Sequence, residues 1–320
     1  MAHVISIDSA AANLNRHVVT YKQEVQQAFR VGLEFEGMLP FVQADKVYSA
    51  PNVQMGDLVQ PYQPRFTPNN TETFDSVDNT LVPIKIDLEF TEEQLMTLYD
   101  KWAPQWAEAG KEAKAMSYYQ YIINNLVAPV YQENMNDIAY NGVYNAPTAG
   151  TPGSVLDSCD GFDKKIVDAI TDGKVVPVAS GSFTSSDIRS KLEDWMKSMP
   201  IAVRGKGGTI LMSDTNARNY YYDFRGDFST ATWANLQAAG GMTVDGFPVK
   251  IKGVKAMEGS NRWIFLPDNA QNMIVGTRRG YARDPQFIFD ADLYTLRAKA
   301  VIYRFYGFEY WNTIFVNDQA

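Results

Sequence analysis

The stretch that most constrains this chain is Glu112–Gly142, EAKAMSYYQYIINNLVAPVYQENMNDIAYNG. Apolar residues fall at Met116, Tyr119, Ile123, Val127, Val130 and Ile138, close to the three-and-four spacing of a helix with one stripe against a core. At about 1.5 Å per residue this helix is on the order of 40 Å long, well beyond the average of about 11–12 residues. Pro129 lies inside it, removes one backbone hydrogen bond and predicts a kink. Asn141-Gly142 predicts the stop, with Gly142 left-handed past the helix end. So long a helix in a mixed protein needs an equally long surface to lie on.

The remaining chain has to supply that surface. Its 320 residues hold one elaborate domain or two ordinary ones, and 45% hydrophobic content allows a sizeable core. The single cysteine, Cys159, excludes an internal disulfide and fits a reducing compartment. The opening MAHVISIDSAAAN has no basic region before its apolar residues, unlike a secretory signal. No apolar run approaches the ~20 residues of a membrane helix, so no membrane partner is expected. A net charge of −8 argues against general affinity for nucleic acid phosphates. The charge is uneven: residues 1–160 carry 9 basic and 20 acidic side chains, residues 161–320 carry 20 and 17. The halves attract weakly, within a chain or between chains, or differ only by ordinary surface variation.

In chain order, residues 1–45 read as an irregular arm holding both histidines, His3 and His17, followed by a short helix over Tyr21–Leu33 and a stop at Pro40. Residues 46–84 carry prolines at 51, 61, 64, 68 and 83 and read as a long two-stranded loop, with extended pieces at Lys46–Ser49, Asp57–Pro61 and Gln63–Thr67. Loops this long are usually functional or ordered by a partner. The aromatics Tyr48, Tyr62, Phe66 and Phe74 are poorly buried on an isolated arm, so a neighbouring chain is their natural partner. Ile84–Phe90 alternates as a half-buried strand, and Thr91 with Gln94 has capping-box spacing for a helix ending near Pro104. Ala146–Ser154 (APTAGTPGS) punctuates the chain. Beyond it come helices over Gly161–Asp172, Thr184–Met199 and Ser213–Tyr222, and strands at Gly208–Met212, Gly246–Val254, Trp263–Leu266 and Met273–Val275. Between them, Phe228–Gly241 is a loop carrying Trp233 and Leu236. The end is strand-rich, over Gln286–Asp290, Leu293–Phe305 and Gly307–Val316. Paired with Ile84–Phe90, these strands make a long narrow sheet for the helix to lie on. The class is α+β.

No catalytic signature emerges. Two histidines in one arm make a Ser-His-Asp or Cys-His arrangement improbable, and neither HExxH nor CxxC is present, so no catalytic residue, metal or cofactor is assigned. Arg204–Gly208 (RGKGG) is basic and Gly-rich but lacks phosphate-loop spacing, which favours a turn. Asp87, Glu89, Glu92 and Glu93 suit a solvent-facing strand and a helix first turn better than an acid/base or metal cluster. Arg278, Arg279 and Arg283 form a basic patch that meets nucleic acid or a neighbour's carboxylates, or is a solvated face. Chains with extended arms and no evident chemistry usually use those arms on copies of themselves.

The order of these parts resembles the HK97-type major capsid protein of tailed bacteriophages over nearly the whole chain. The resemblance rests on a TILMS strand (Thr209–Ser213), a Gly-Phe-Pro-Val strand (Gly246–Val249), and the run WIFLPD, MIVGTRRG, FIFDAD, LRAKA and YGFEY towards the end. It implies an HK97-like capsid fold: an N-terminal arm (1–45), an extended E-loop hairpin (46–84), a P-domain (85–154 and 278–320) with spine helix 112–141 on a long antiparallel sheet, and an A-domain (155–277). It further implies assembly into hexamers and pentamers of an icosahedral shell around double-stranded DNA. In that picture Tyr48, Leu58, Tyr62, Arg65, Phe66 and Phe74 make inter-subunit contacts through the loop. Trp233 and Leu236 lie near the capsomer axis, and Arg278, Arg279 and Arg283 make charged inter-subunit contacts. An encapsulin-like nanocompartment is the alternative within the fold, and an oligomeric enzyme or binding module the alternative outside it.

One departure from the family pattern matters. Some members crosslink a loop lysine to a neighbour's asparagine, but no lysine lies between Val47 and Ile84, where Arg65 is the sole basic residue. The expected shell is therefore held by noncovalent contacts or a separate cement protein. The chain reaches its arm at once from Met1, so a separate scaffolding protein, with a portal, is also expected.

Overall fold

The computed structural model describes residues 7–54, 59–67, 73–103, 118–227, 243–267, 272–292 and 295–319. The N-terminal segment is not irregular there. It forms α1 (Ile7–Thr20), α2 (Lys22–Arg30) and α3 (Glu34–Met38). Ile7, Ala10, Ala11, Leu14 and His17 make the buried stripe of α1. Small alanines and polar asparagines weaken that stripe in the sequence, so only the surface beneath reveals it. His17 is thus a buried helix residue and not part of a flexible terminus. The Asn15 amide donates to the Phe289 carbonyl at 2.7 Å and accepts from its N–H at 3.0 Å, occupying a sheet edge as a neighbouring strand would.

Among the described residues that sheet has five strands: β1 (Phe41–Ala44), β4 (Val82–Thr91), β8 (Met273–Arg278), β9 (Ile288–Asp292) and β10 (Thr295–Phe308). The 14-residue β10 is its axis. Residues Thr295–Arg304 pair antiparallel with β4, Thr295–Lys299 also pair with β9, and Phe305–Phe308 pair with β8. The sheet is therefore narrow and about 45 Å long at the usual rise of a strand. Leu296, Ala298, Ala300 and Ile302 are buried, while Arg297, Lys299 and Val301 face out, following the alternation of the sequence. Thr91 and Gln94 cap α4 (Glu92–Trp102) reciprocally, as their spacing predicts. The hairpin of β2 (Val47–Gln54) and β3 (Thr73–Thr80) stands beside this sheet. Pro51 lies within β2, which a two-stranded ribbon tolerates because each strand has a free edge. Of the expected extended pieces Asp57–Pro61 and Gln63–Thr67, the described residues are not strands, and Asp57 and Leu58 lie outside them.

The long helix runs as α5 (Tyr118–Tyr121), a π-helical stretch (Ile122–Val127) and α6 (Ala128–Asn141), with Pro129 just beyond the π stretch. The wider π turn closes through Ala128 N–H to the Ile123 carbonyl. It shifts the buried face: Ile123, Val127, Tyr131, Met135 and Ala139 line it at steps of four, and Val130 is exposed. The helix reaches the sheet through aromatic rings carried by other helices. Phe29 of α2 sits between Tyr131 and Phe287. Phe35 of α3 stacks on Tyr140 and contacts Phe162, which abuts Tyr306 and Phe308. Gly142 ends the helix in an extended conformation, not a left-handed one. A Cβ there would lie 2.2 Å from the Cys159 carbonyl oxygen, so close backbone approach is what requires glycine.

Residues beyond the Pro/Gly-rich turn form α7 (Phe162–Thr171), ended by left-handed Gly173, then α8 (Ile188–Ser198), α9 (Ile201–Arg204) and α10 (Asp214–Asp227). A second sheet holds β5 (Gly208–Ser213), β6 (Val249–Val254), β7 (Ile264–Pro267) and β11 (Phe315–Val316) in the order β11-β7-β5-β6. Ile188, Leu192, Trp195, Met196 and Met199 pack on Ile210, Met212 and Phe265. The boundary drawn at residue 277 does not follow the sheets, since β8 pairs with β10. Nor does the C-terminal strand stay with the long sheet, since β11 pairs with β7.

Candidate assembly surface

The hairpin is rooted by burial. Ala50, Asn52, Val77 and Asn79 are buried, and Asn79 donates to the Phe308 carbonyl at 3.1 Å. Tyr48 belongs to this root: its ring stacks on Phe305 at 5.9 Å and its hydroxyl donates to Glu309 at 2.9 Å. Burial, reinforced by Glu309, pushes its phenol up to about 12. Tyr48 therefore anchors the hairpin within its own chain and remains half-buried. The outer residues behave otherwise. Tyr62 is 93% exposed, Phe66 94% and Phe74 73%, and Arg65 is exposed among them. Leu58, Trp233 and Leu236 lie outside the described residues, as does the first part of the predicted spine helix.

The three arginines have different surroundings. Arg278 lies 4.9 Å from the ring centres of both Tyr281 and Tyr303 and donates to the Tyr303 hydroxyl at 3.0 Å. Arg279 is exposed, 3.7 Å from Asp45. Arg283 is drawn inward: its guanidinium lies 3.5 Å from the Phe41 ring centre and donates to the Glu36 carbonyl at 2.6 Å, and burial lowers its pKa. Arg283 is thus half-buried, with its guanidinium held against Phe41 and Glu36.

Beside it stands a charged cluster that the sequence did not signal. Arg304 is almost fully buried on β10 and grips buried Glu36 of α3 at 2.9 and 3.3 Å. Its guanidinium also donates to the Tyr303 carbonyl at 3.0 Å and to the Arg283 carbonyl, and the Tyr306 hydroxyl donates to Glu36 at 2.9 Å. Burial works against the charge on Arg304, yet the adjacent Glu36 carboxylate raises its pKa. On α2, Arg30 holds buried Asp284 at 2.5 Å. These pairs fasten the N-terminal helices to the end of the chain. Glu36 in EFEGM and a lone Arg in IYRFYG carry no sign of each other.

The remaining candidate groups take structural parts. Glu89 pairs with Arg297 at 3.2 Å and Asp87 with Lys85 at 2.7 Å on the outer sheet face. Cys159 is buried and its thiol pushed up to about 12 by burial, the opposite of an activated nucleophile. The RGKGG stretch is a turn between α9 and β5, with Gly207 at a φ of 82°. A depression of about 260 Å³ is lined by Glu34, Met38 and Lys252, and another of about 500 Å³ by Glu92, Glu93 and Met96. Neither is lined by a serine, cysteine or histidine.

No protein-family model matches the sequence, and no curated protein matches it. Solved structures do match the fold. A chain of the satellite phage P4 procapsid, solved with its size determination (Sid) protein, is 10% identical, with a TM-score of 0.51 over 94% of this chain and 98% of that one. The virus-like particle from Pyrococcus furiosus is 8% identical, with a TM-score of 0.50 over 92% and 98%. The capsid of an empty GTA particle is 12% identical, with a TM-score of 0.50 over 90% of each chain. At such identities the likeness is one of fold. The chain has the HK97-type capsid fold, built here with a rooted aromatic hairpin, a π-interrupted long helix and two sheets.

Proposed function

We propose that this chain is a shell-forming capsid subunit, the major capsid protein of a tailed bacteriophage. The observation that carries the reading is the likeness in fold to capsid chains over about 90% or more of both partners. Copies associate as hexamers and pentamers of an icosahedral shell around double-stranded DNA, assembled in the bacterial cytoplasm with a separate scaffolding protein and a portal. A cement protein is an optional addition. The hairpin loop lies over an adjacent subunit, where Tyr62, Phe66 and Phe74 lose their exposure at about 1.5–3 kcal/mol per buried ring. The segment with Trp233 and Leu236 serves the capsomer axis. DNA is confined by an acidic subunit and not read for sequence. The sheets and buried pairs serve shape, and no reaction is assigned.

The test is replacement of residues 55–72 by a short turn, which keeps both strands of the rooted ribbon. The expected product is a folded subunit, by circular dichroism, that closes no shells by electron microscopy. Normal shells would refute the role of the loop. A second reading, a nanocompartment shell of the encapsulin kind, is favoured by the likeness to the Pyrococcus furiosus virus-like particle. Particle contents separate the two: packaged DNA supports the first and a protein cargo without a genome the second.

A further inference from the structure

The hairpin stretch between Val47 and Leu81 carries Asp57, Glu72, Asp75 and Asp78 against one base, Arg65, so it is acidic as well as aromatic. The Arg278 platform is its chemical complement. The guanidinium is held between Tyr281 and Tyr303, half-buried, and among the described residues no carboxylate pairs with it. Tyr281 is 49% exposed, and Arg279 adds a second positive charge at the rim. A positive charge already oriented by two rings loses little freedom on meeting a carboxylate, and Arg and Tyr recur at the energetic centres of protein interfaces.

The platform also adjoins the root of the chain's own hairpin, since Ala44 pairs with Arg278 just before β2 begins. The ribbon leaves this root through 8 paired residues per strand, about 26 Å of stiff ladder. Asp75 is held in that ladder five residues beyond Thr80, so a platform that its carboxylate reaches belongs to another copy.

We propose that the Arg278–Tyr281–Tyr303 platform is the seat for the acidic aromatic hairpin of a neighbouring copy, with Arg278 donating to a hairpin carboxylate. Asp75, exposed beside Phe74, is the first choice of carboxylate. The seat rests on the shell-subunit reading and names the receiving surface within it.

The test is charge reversal in the full chain, with closed particles counted by electron microscopy and sedimentation. R278E weakens association about tenfold or more and depletes closed shells. K299E, on the same outer sheet face, leaves them in place. Combining R278E with D75R, or with D57R or E72R in turn, restores closed shells in at least one pair. Circular dichroism establishes that R278E is folded; if it is not, R278Q gives the same readout with the Tyr303 hydrogen bond retained. Normal shells from R278E, or a loss that none of the three reversals repairs, overturn the seat while leaving the shell reading intact. A wild-type chain that forms no shell overturns the shell reading and the seat with it.

Discussion

Glu36 and Arg304 stand 268 residues apart in sequence and about 3 Å apart in the fold. Removing one member of a buried pair leaves the other charged and unsolvated, at a cost of about 3–5 kcal/mol. Glu36→Ala should therefore lower the denaturant midpoint sharply, whereas Glu36→Leu with Arg304→Met should recover much of the loss. A midpoint unchanged by Glu36→Ala would mean that water reaches Arg304. The tyrosines set a second expectation. Burial pushes the phenols of Tyr48, Tyr140 and Tyr220 up to about 12 from an ordinary value of 10.0. The folded state holds these protons more tightly, so their contribution is complete below pH ~10 and is lost as pH rises towards ~12. Melting temperature should be flat in this respect up to pH ~10 and then decline, and Tyr48→Phe should make the decline shallower.

At the scale of elements, the hairpin depends on a glycine in another strand. A Cβ on Gly307 of β10 would lie 1.9 Å from the Asn79 side-chain oxygen, so Gly307→Ala must displace the residue that ties β3 to Phe308. Overpacking of this kind costs about 1–3 kcal/mol. Hydrogen exchange should quicken in the ladder between Val47 and Thr80 and much less in β4; uniform protection would show that Asn79 is not the tie. The legibility of elements follows the range of the forces that make them. The α4 cap, the α8 face and the alternation of β10 arise between near neighbours in sequence and were readable from residue order. The stripe on α1 and the π stretch were not. The first is diluted by two alanines, and its burial depends on β9 and β10. The second packs against α2, which is distant from it in sequence.

Across the whole molecule, the two sheets are not independent bodies. Leu211, Val254 and Ile264 of the second sheet join the core that also contains Met135, Phe162 and Tyr306. Asn141 donates to the Ala256 carbonyl at 2.9 Å, Arg262 pairs with Asp163 at 2.9 Å, and β11 carries the chain's end onto β7. A subunit joined in this way should unfold in one cooperative calorimetric transition, with calorimetric and van't Hoff enthalpies in agreement. Two resolved transitions would show that the second sheet melts alone. The exposed hairpin residues and the Arg278 platform belong to this scale, because in the proposed shell their energies are realised between copies.

Residue order alone determined which faces of α8, β4 and β10 are buried, and that 46–84 holds a two-stranded ribbon with exposed aromatics. These properties come from spacing, capping and proline placement, whose effects act within a few residues. The tertiary structure decided that Tyr48 is a root and not a tip, that Arg283 turns inward to Phe41, and that Glu36 meets Arg304. It also decided that β8 leaves the second sheet for the first. Each of these depends on which distant surfaces meet. A buried charge or ring is stable only opposite its partner, and that opposition exists only once the chain has closed on itself.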